Sequence, residues 1–315
     1  MIYNIFILFI SFQILYYCKS IYHSKSYENI FKLNTKIDTL IIGDSHMRSA
    51  LDPEIIKNSK NIALDTENYL CTYYKLKKFV SFNSHIRKVI LGFSTHNVSK
   101  NQSEALFFQE PTEKQIFKRY YQLLDFEGKK RIVRLFSKYF IISFFKYDLG
   151  IPIRVYKDDY FLKNLFNRKI IESDFKFIGG YYRSEKSNVN MEDIPMKIKD
   201  YYYNDQMVYA GESELNIEYL NKILDLCSKN GIKVYLYSSP VYSRYKEMIP
   251  YENILGFEDV KNKLLKKYEN VEYIDHTDYI LEKNHFGDQD HVNAFGAKVV
   301  SQIIRDKIHK KVYEN

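Results

Sequence analysis

The chain has 315 residues, 45% of them hydrophobic and 27% charged, which suits one large α/β domain or two smaller ones with a sizeable core. Its formal charge of +8 is scattered over short runs such as 75-KLKK-78, 129-KKRIVR-134 and 261-KNKLLKK-267. No helix-turn-helix, RNA-binding or zinc-finger pattern accompanies that charge, so no nucleic-acid partner is expected. The 30 Tyr and 22 Phe, with no Trp and many Lys, Asn and Ile, reflect biased base composition as much as selection. Cys18, Cys71 and Cys227 show no metal-ligand or redox spacing, and no cofactor or metal is expected.

In chain order, the first element is MIYNIFILFISFQILYYC at 1–18, interrupted only by Asn4, Ser11 and Gln13 and without a charged side chain. It is close to the minimum length for a bilayer-spanning helix. Residues 1–20 are expected to be a membrane anchor or uncleaved signal peptide, which implies an extracytoplasmic protein; a buried helix is the alternative. Lys19 and Lys25 follow the run and no basic residue precedes it, against the positive-inside rule. No small-residue cleavage site is present, and Tyr16-Tyr17 before Cys18 does not fit a lipoprotein box.

A domain is expected over 36–315. The apolar run in 38-DTLIIGDSH-46 reads as a short buried strand ending in a turn, with a helix from near Ser45 towards Ile56 that Pro53 should break or restart. A second strand is expected near 61–64, a helix from Tyr69 to Val80, and a strand at 87-RKVILGFS-94. Residues 101–212 do not follow this rhythm and read as an insertion or cap. Its aromatic, basic middle at 133–151 suits a buried cap helix or a membrane-surface helix, and 178-IGGYYRSEKSNVN-190 reads as a loop. The rhythm returns with a helix at 213–231 whose Ile217, Leu220, Leu224 and Cys227 share a face and which Gly231 stops. A strand at 232–240, a helix around 257–268, a strand at 271–275 and a final amphipathic helix through Phe295, Val299, Ile303 and Ile304 complete the chain. Continuous apolar strands alternating with helices predict a three-layer, doubly wound (flavodoxin-like) parallel sheet covered on both faces.

The reactive side chains fall at the predicted strand ends, where doubly wound sheets gather their ligands. Ser45 ends the first strand; Ser94, His96 and Asn97 follow the third; Ser238 and Ser239 end the fourth; Asp288 and His291 precede the last helix. An aspartate three residues before a histidine can accept the imidazole N–H, fix its tautomer, and leave the other ring nitrogen free to take a serine proton. Ser45 would then be able to attack an ester carbonyl, with its own backbone N–H and the Asn97 amide as donors to the oxyanion. Against this stand plainer readings: Ser45 as a helix cap, His291 and Asn293 as a cap pair, and Asn97 as a turn residue. His46 receives no role. His285, Asp288, Asp290 and His291 could approach a metal, but nothing else converges with metal spacing.

GDSH at 43–46 together with 288-DQDHVNAFGA-297 resembles the SGNH (GDSL-like) hydrolase superfamily. The likeness is nearest to its membrane-anchored extracytoplasmic branch, which includes alginate acetyltransferases and teichoic-acid D-alanylation proteins. It covers roughly 36–100 and 213–310. The resemblance implies Ser45 as nucleophile, His291 as base, Asp288 as its orienting acid, and Ser45 and Asn97 at the oxyanion hole. It departs in the second block, where such proteins offer a glycine N–H: 61-NIALDTENY-69 has no glycine, leaving Glu67 or Asn68 nearby. The implied function is acyl transfer or ester hydrolysis on an extracytoplasmic polysaccharide, with an acyl donor and a carbohydrate acceptor as partners. A membrane-bound O-acyltransferase is a further partner that the branch suggests. The alternative is a weakly active or inactive tethered module that binds polysaccharide or such a partner.

Overall fold

In the computed structural model the described residues are 29–102, 120–133, 141 and 178–309. The expected anchor at 1–20, Cys18 and most of the aromatic stretch at 133–151 lie outside them. Among the described residues, no helix is long and apolar enough to cross a membrane.

Five strands form one fully parallel sheet in the order β2-β1-β3-β4-β5: β1 Thr39–Ile42, β2 Ser59–Asn61, β3 Lys88–Gly92, β4 Lys233–Ser238 and β5 Val271–Asp275. Register is continuous across the middle, with Ile41 opposite Ile90 and Ile90 opposite Tyr235. Alternation along each strand sends its side chains to opposite faces. Leu40, Ile42, Val89, Leu91, Val234 and Leu236 join one buried core, with α2 (Tyr69–Phe82), α6 (Glu214–Lys229) and α8 (Tyr251–Lys267) packed on it. Ile41, Ile90, Tyr235 and Tyr237 join the other, against Met47 and Ala50 of α1 (Ser45–Ala50) and Val300, Ile304 and Ile308 of α9 (Ala294–His309). The result is the expected three-layer, doubly wound sheet. The short helices α3 (Thr95–Val98), α4 (Phe126–Val133), α5 (Ile194–Tyr202) and α7 (Ser243–Glu247) fill the connections.

Some boundaries differ from expectation. Helix α1 stops at Ala50, two residues before the break that Pro53 suggested, because Leu51 adopts an extended backbone and Asn61 Nδ2 donates to the Leu51 carbonyl. Strand β2 lies at 59–61 rather than 61–64. Ile62 and Leu64 still donate to β1 carbonyls and its corner, but the Ala63 carbonyl accepts from Gly180 N at 3.0 Å. A Cβ on Gly179 would sit 1.7 Å from that same carbonyl oxygen, so only glycine permits the approach. The expected 178–190 loop is therefore a strap along the β2 edge, and it continues by bonding Tyr182 N to Arg48 O and Asn188 N to Gly287 O. Helix α5, inside the stretch without rhythm, was not anticipated. Pro195 at its start and the apolar Ile194, Ile198 and Tyr202 pin it on Val241 and Tyr245.

The sheet order places the switch point between β1 and β3, since the chain leaves β1 to one side for β2 and returns on the other for β3.

Candidate active site

The corner after β1 is built from a backbone that only glycine accepts. Gly43 has φ +134°, and a Cβ there would meet Met47 Cγ at 2.8 Å and Gly92 N at 3.2 Å. This turn delivers Asp44 as the N-cap of α1, its Oδ1 accepting from His46 N at 3.0 Å, and Ser45 as the first helical residue. The amide of that position lies outside the helical ladder.

Ser45 Oγ is 2.7 Å from His291 Nε2. The opposite ring nitrogen, His291 Nδ1, lies 2.9 Å from Asp288 Oδ1 and 3.0 Å from Asp290 Oδ1. The turn that carries these groups is closed on itself: Gly287 N donates to His291 O, and His291 N donates to Asp288 Oδ1 at 2.9 Å. Asn293 Oδ1 accepts from the amides of Phe295 and Gly296 at the start of α9. Asn293 thus does the capping, and His291 is released to face Ser45. The strand ends bring together the three side chains that the sequence singled out.

Behind them stands a second set of polar groups. His46 stacks between His96 and His291, with ring centroids 4.2 and 4.5 Å away. Its Nε2 donates to Asp290 Oδ2 at 3.2 Å, and the Ser239 hydroxyl faces its Nδ1 at 3.4 Å. His96 Nε2 and Asn97 Nδ2 both donate to Asp44 Oδ2 at 2.7 Å. Lys197 of α5 donates to Asp290 Oδ1 and lies 3.3 Å from Asp288 Oδ2. Ser238 turns away from this cluster to Phe93 O and Tyr273, and Ser94 caps α3.

Asn97 is engaged at both ends of its amide: Nδ2 on Asp44, and Oδ1 accepting from Ser94 N at 2.8 Å. It enters the site as a donor to Asp44 rather than as a free amide beside Ser45. In the glycine-free stretch, Thr66 takes φ +58°, a conformation that a β-branched residue rarely adopts. The Glu67 amide bonds Leu64 O, its carboxylate is buried against Lys75, Thr72 and Tyr120, and Asn68 caps α2 through Cys71 N.

Electrostatics separates His46 from His291. Burial, reinforced by the neighbouring His96 and His291, lowers His46 to about 4, so its ring is neutral. Burial also disfavours charge on His291, but Asp290 and Asp288 outweigh it and raise that ring to about 10. The carboxylates respond in kind. Burial pushes Asp44, Asp288 and Asp290 up, yet the histidines facing them hold all three below the usual carboxylate range. Donor atoms of His46, Asp290 and His291 lie within 4.8 Å of one another, the spacing of a metal cluster. Here Asp290 already accepts from His46 Nε2 and from the Lys197 ammonium, while His291 Nε2 faces Ser45, so these atoms meet as hydrogen-bond partners. An imidazole set between a hydroxyl and a carboxylate can carry a proton from the one while the other stabilises the cation.

A protein-family model matches residues 206–313, less than half of the chain; the match includes Asp288 and His291 but not Ser45. No curated protein matches. Among solved structures, one similar chain is a Streptococcus pneumonia protein provisionally described as a platelet activating factor. It is 12% identical at a TM-score of 0.44, over 95% of this chain and 99% of its own. Another is a GDSL-like lipase from Bacteroides thetaiotaomicron, 10% identical at a TM-score of 0.38, over 92% of this chain and 97% of its own. Neither likeness reaches a level at which substrate or mechanism transfers.

Proposed function

We propose that this chain is a serine-dependent esterase or acyltransferase of SGNH (GDSL-like) type. The observation that carries the reading is the chain of contacts from Ser45 Oγ to His291 Nε2 (2.7 Å) and from His291 Nδ1 to Asp288 Oδ1 (2.9 Å). Ser45 Oγ attacks the acyl carbonyl while its proton passes to His291 Nε2, giving a tetrahedral oxyanion beside the first amide of α1. Collapse expels the alcohol, which takes the proton from His291, and leaves an acyl-Ser45 ester. Water or a sugar hydroxyl then attacks that ester, His291 accepts the incoming proton, and its return to Ser45 Oγ restores the resting site.

The finer reading is that the acyl group moves to or from an extracytoplasmic polysaccharide. It rests on the resemblance of GDSH at 43–46 and the Asp288–Ala297 block to the membrane-anchored branch, and on the apolar 1–18. In this reading residues 1–20 tether the domain 36–315 in the periplasm or cell envelope, with 101–212 as its insertion. A membrane-bound O-acyltransferase supplies the acyl group.

A second reading has an observation of its own: Asn97 is tied to Asp44, Glu67 N is tied to Leu64 O, and no glycine stands at the β2 corner. Loss of one oxyanion donor costs about 10²–10³ in rate, which would suit a tethered binding module. A fluorophosphonate probe separates the two. The enzyme reading expects stoichiometric labelling of the wild type and none of folded Ser45→Ala; equal labelling of the two would refute it.

A further inference from the structure

The acid that serves His291 is double. Asp288 Oδ1 and Asp290 Oδ1 lie at 2.9 and 3.0 Å from the same Nδ1. Asp288 is 37% exposed, whereas Asp290 is fully buried. Two carboxylates sharing one partner in a buried site ordinarily force one of them to take up a proton. Here a cation relieves the conflict. Lys197 Nζ contacts Asp290 Oδ1 and sits 3.3 Å from Asp288 Oδ2, and His46 Nε2 donates to the remaining oxygen of Asp290. Lys197 is not a loose surface cation. Its side chain is 22% exposed, on a helix fixed by Ile194, Ile198 and Tyr202 against Val241 and Tyr245.

We propose that Asp288 and Asp290 act together as the orienting acid of His291, and that Lys197 is a positioning residue that neutralises half of their charge. This deepens the serine-enzyme reading and rests on it. It also gives α5, from the segment without sequence rhythm, a place in the site. Ser45 and His46 from α1 and Asp288 and Asp290 from its own turn face His291 directly, while Lys197 and Tyr201 from α5 reach it through the carboxylates they bond. Asp44, His96 and Ser239 stand one step behind them. With His291 protonated, two carboxylates face two cations and the cluster is balanced. Without Lys197, two negative charges hold the proton on His291 more tightly, and the ring becomes a poorer base at neutral pH.

The charges therefore predict shifts of opposite sign, which a merely structural role would not produce. Histidine-selective NMR titration of the folded protein reads them without any substrate. Asp290→Asn should make His291 release its proton at lower pH, and Lys197→Met at higher pH, each by about one unit, or tenfold in proton affinity. Lys197→Arg should stay near the wild type. At pH 8, where the rate follows the deprotonated fraction, Lys197→Met should slow fluorophosphonate labelling of Ser45 about tenfold. Asp288→Asn and Asp290→Asn should each label faster than the double variant, since a lone orienting aspartate is worth roughly 10⁴. An unmoved or lowered His291 titration in folded Lys197→Met would overturn the inference, as would Asp288→Asn labelling no faster than the double variant. If the wild type does not label at all, the serine-enzyme reading fails, and the NMR shifts alone decide whether Lys197 is coupled to His291.

Discussion

Gly43→Ala should be the most damaging single-carbon change at the corner, and the structure lets its cost be divided. One part is conformational. Gly43 at φ +134° occupies backbone space that is essentially glycine's own, where other residues cost about 1–3 kcal/mol. The second part is steric. The new Cβ would stand 2.8 Å from Met47 Cγ and 3.2 Å from Gly92 N, and neither neighbour has room to retreat, since Met47 is fully buried and Gly92 is β3 backbone. Overpacking of that kind costs about 1–3 kcal/mol, so the total is about 2–6 kcal/mol. Gly231→Ala is the control. It too has positive φ, +64°, but nothing lies within 4 Å of its Cβ, and its cost should be only the roughly 1–2 kcal/mol of a left-handed residue. Urea unfolding of both variants, read as midpoint shifts at constant slope, measures the difference. A partly folded Gly43→Ala should also lose Ser45 labelling, because the turn that carries Asp44 and Ser45 must move. The reasoning fails if Gly43→Ala is no less stable than Gly231→Ala.

Stability should peak near pH 6.5. His46, lowered to about 4, binds its proton less readily folded than unfolded, so stability rises with pH between about 4 and 6.5. His291, raised to about 10, does the opposite: its contribution is complete below 6.5 and disappears as pH climbs towards 10. Melting temperatures across that range should show both limbs, and His291→Gln should erase the alkaline one; a flat profile would contradict the assignment of the two rings. Beneath the β2 corner, Lys75 and Glu67 are a fully buried pair, with Lys75 Nζ also donating to Ile62 O. Burial pushes the Glu67 carboxyl up even with Lys75 beside it. Lys75→Met should cost about 3–5 kcal/mol by stranding that carboxylate, and the double variant Lys75→Met/Glu67→Gln should recover part of the loss in thermal unfolding. Recovery of nothing would mean that the lysine acts through packing alone.

Local pattern was enough for much of the fold. The apolar runs at 39–42, 88–92 and 233–238 read as strands covered on both faces, 271–275 read as a further, less buried strand, and the corner residues Gly43, Asp44 and Ser45 announced a turn into a helix. Ser45, Asp288 and His291 were legible because each stands at an element end, where a side chain must either cap a helix or face a ligand. The rest depended on contacts remote in sequence. Nothing local sets the sheet order, which decides that β1 and β3 border the switch point and so brings His96 to Asp44, 52 residues away. Nothing local marks Lys197, a basic residue between Met196 and Ile198 in the stretch without rhythm, which meets Asp290 only when α5 forms and docks. Periodicity reports how deeply a residue is buried, not which distant charge it will meet. The sequence by itself determined most of the strands and the candidate nucleophile, base and acid; the tertiary structure alone decided the strand order and which charges surround them, because burial removes the water that would otherwise screen those charges from one another.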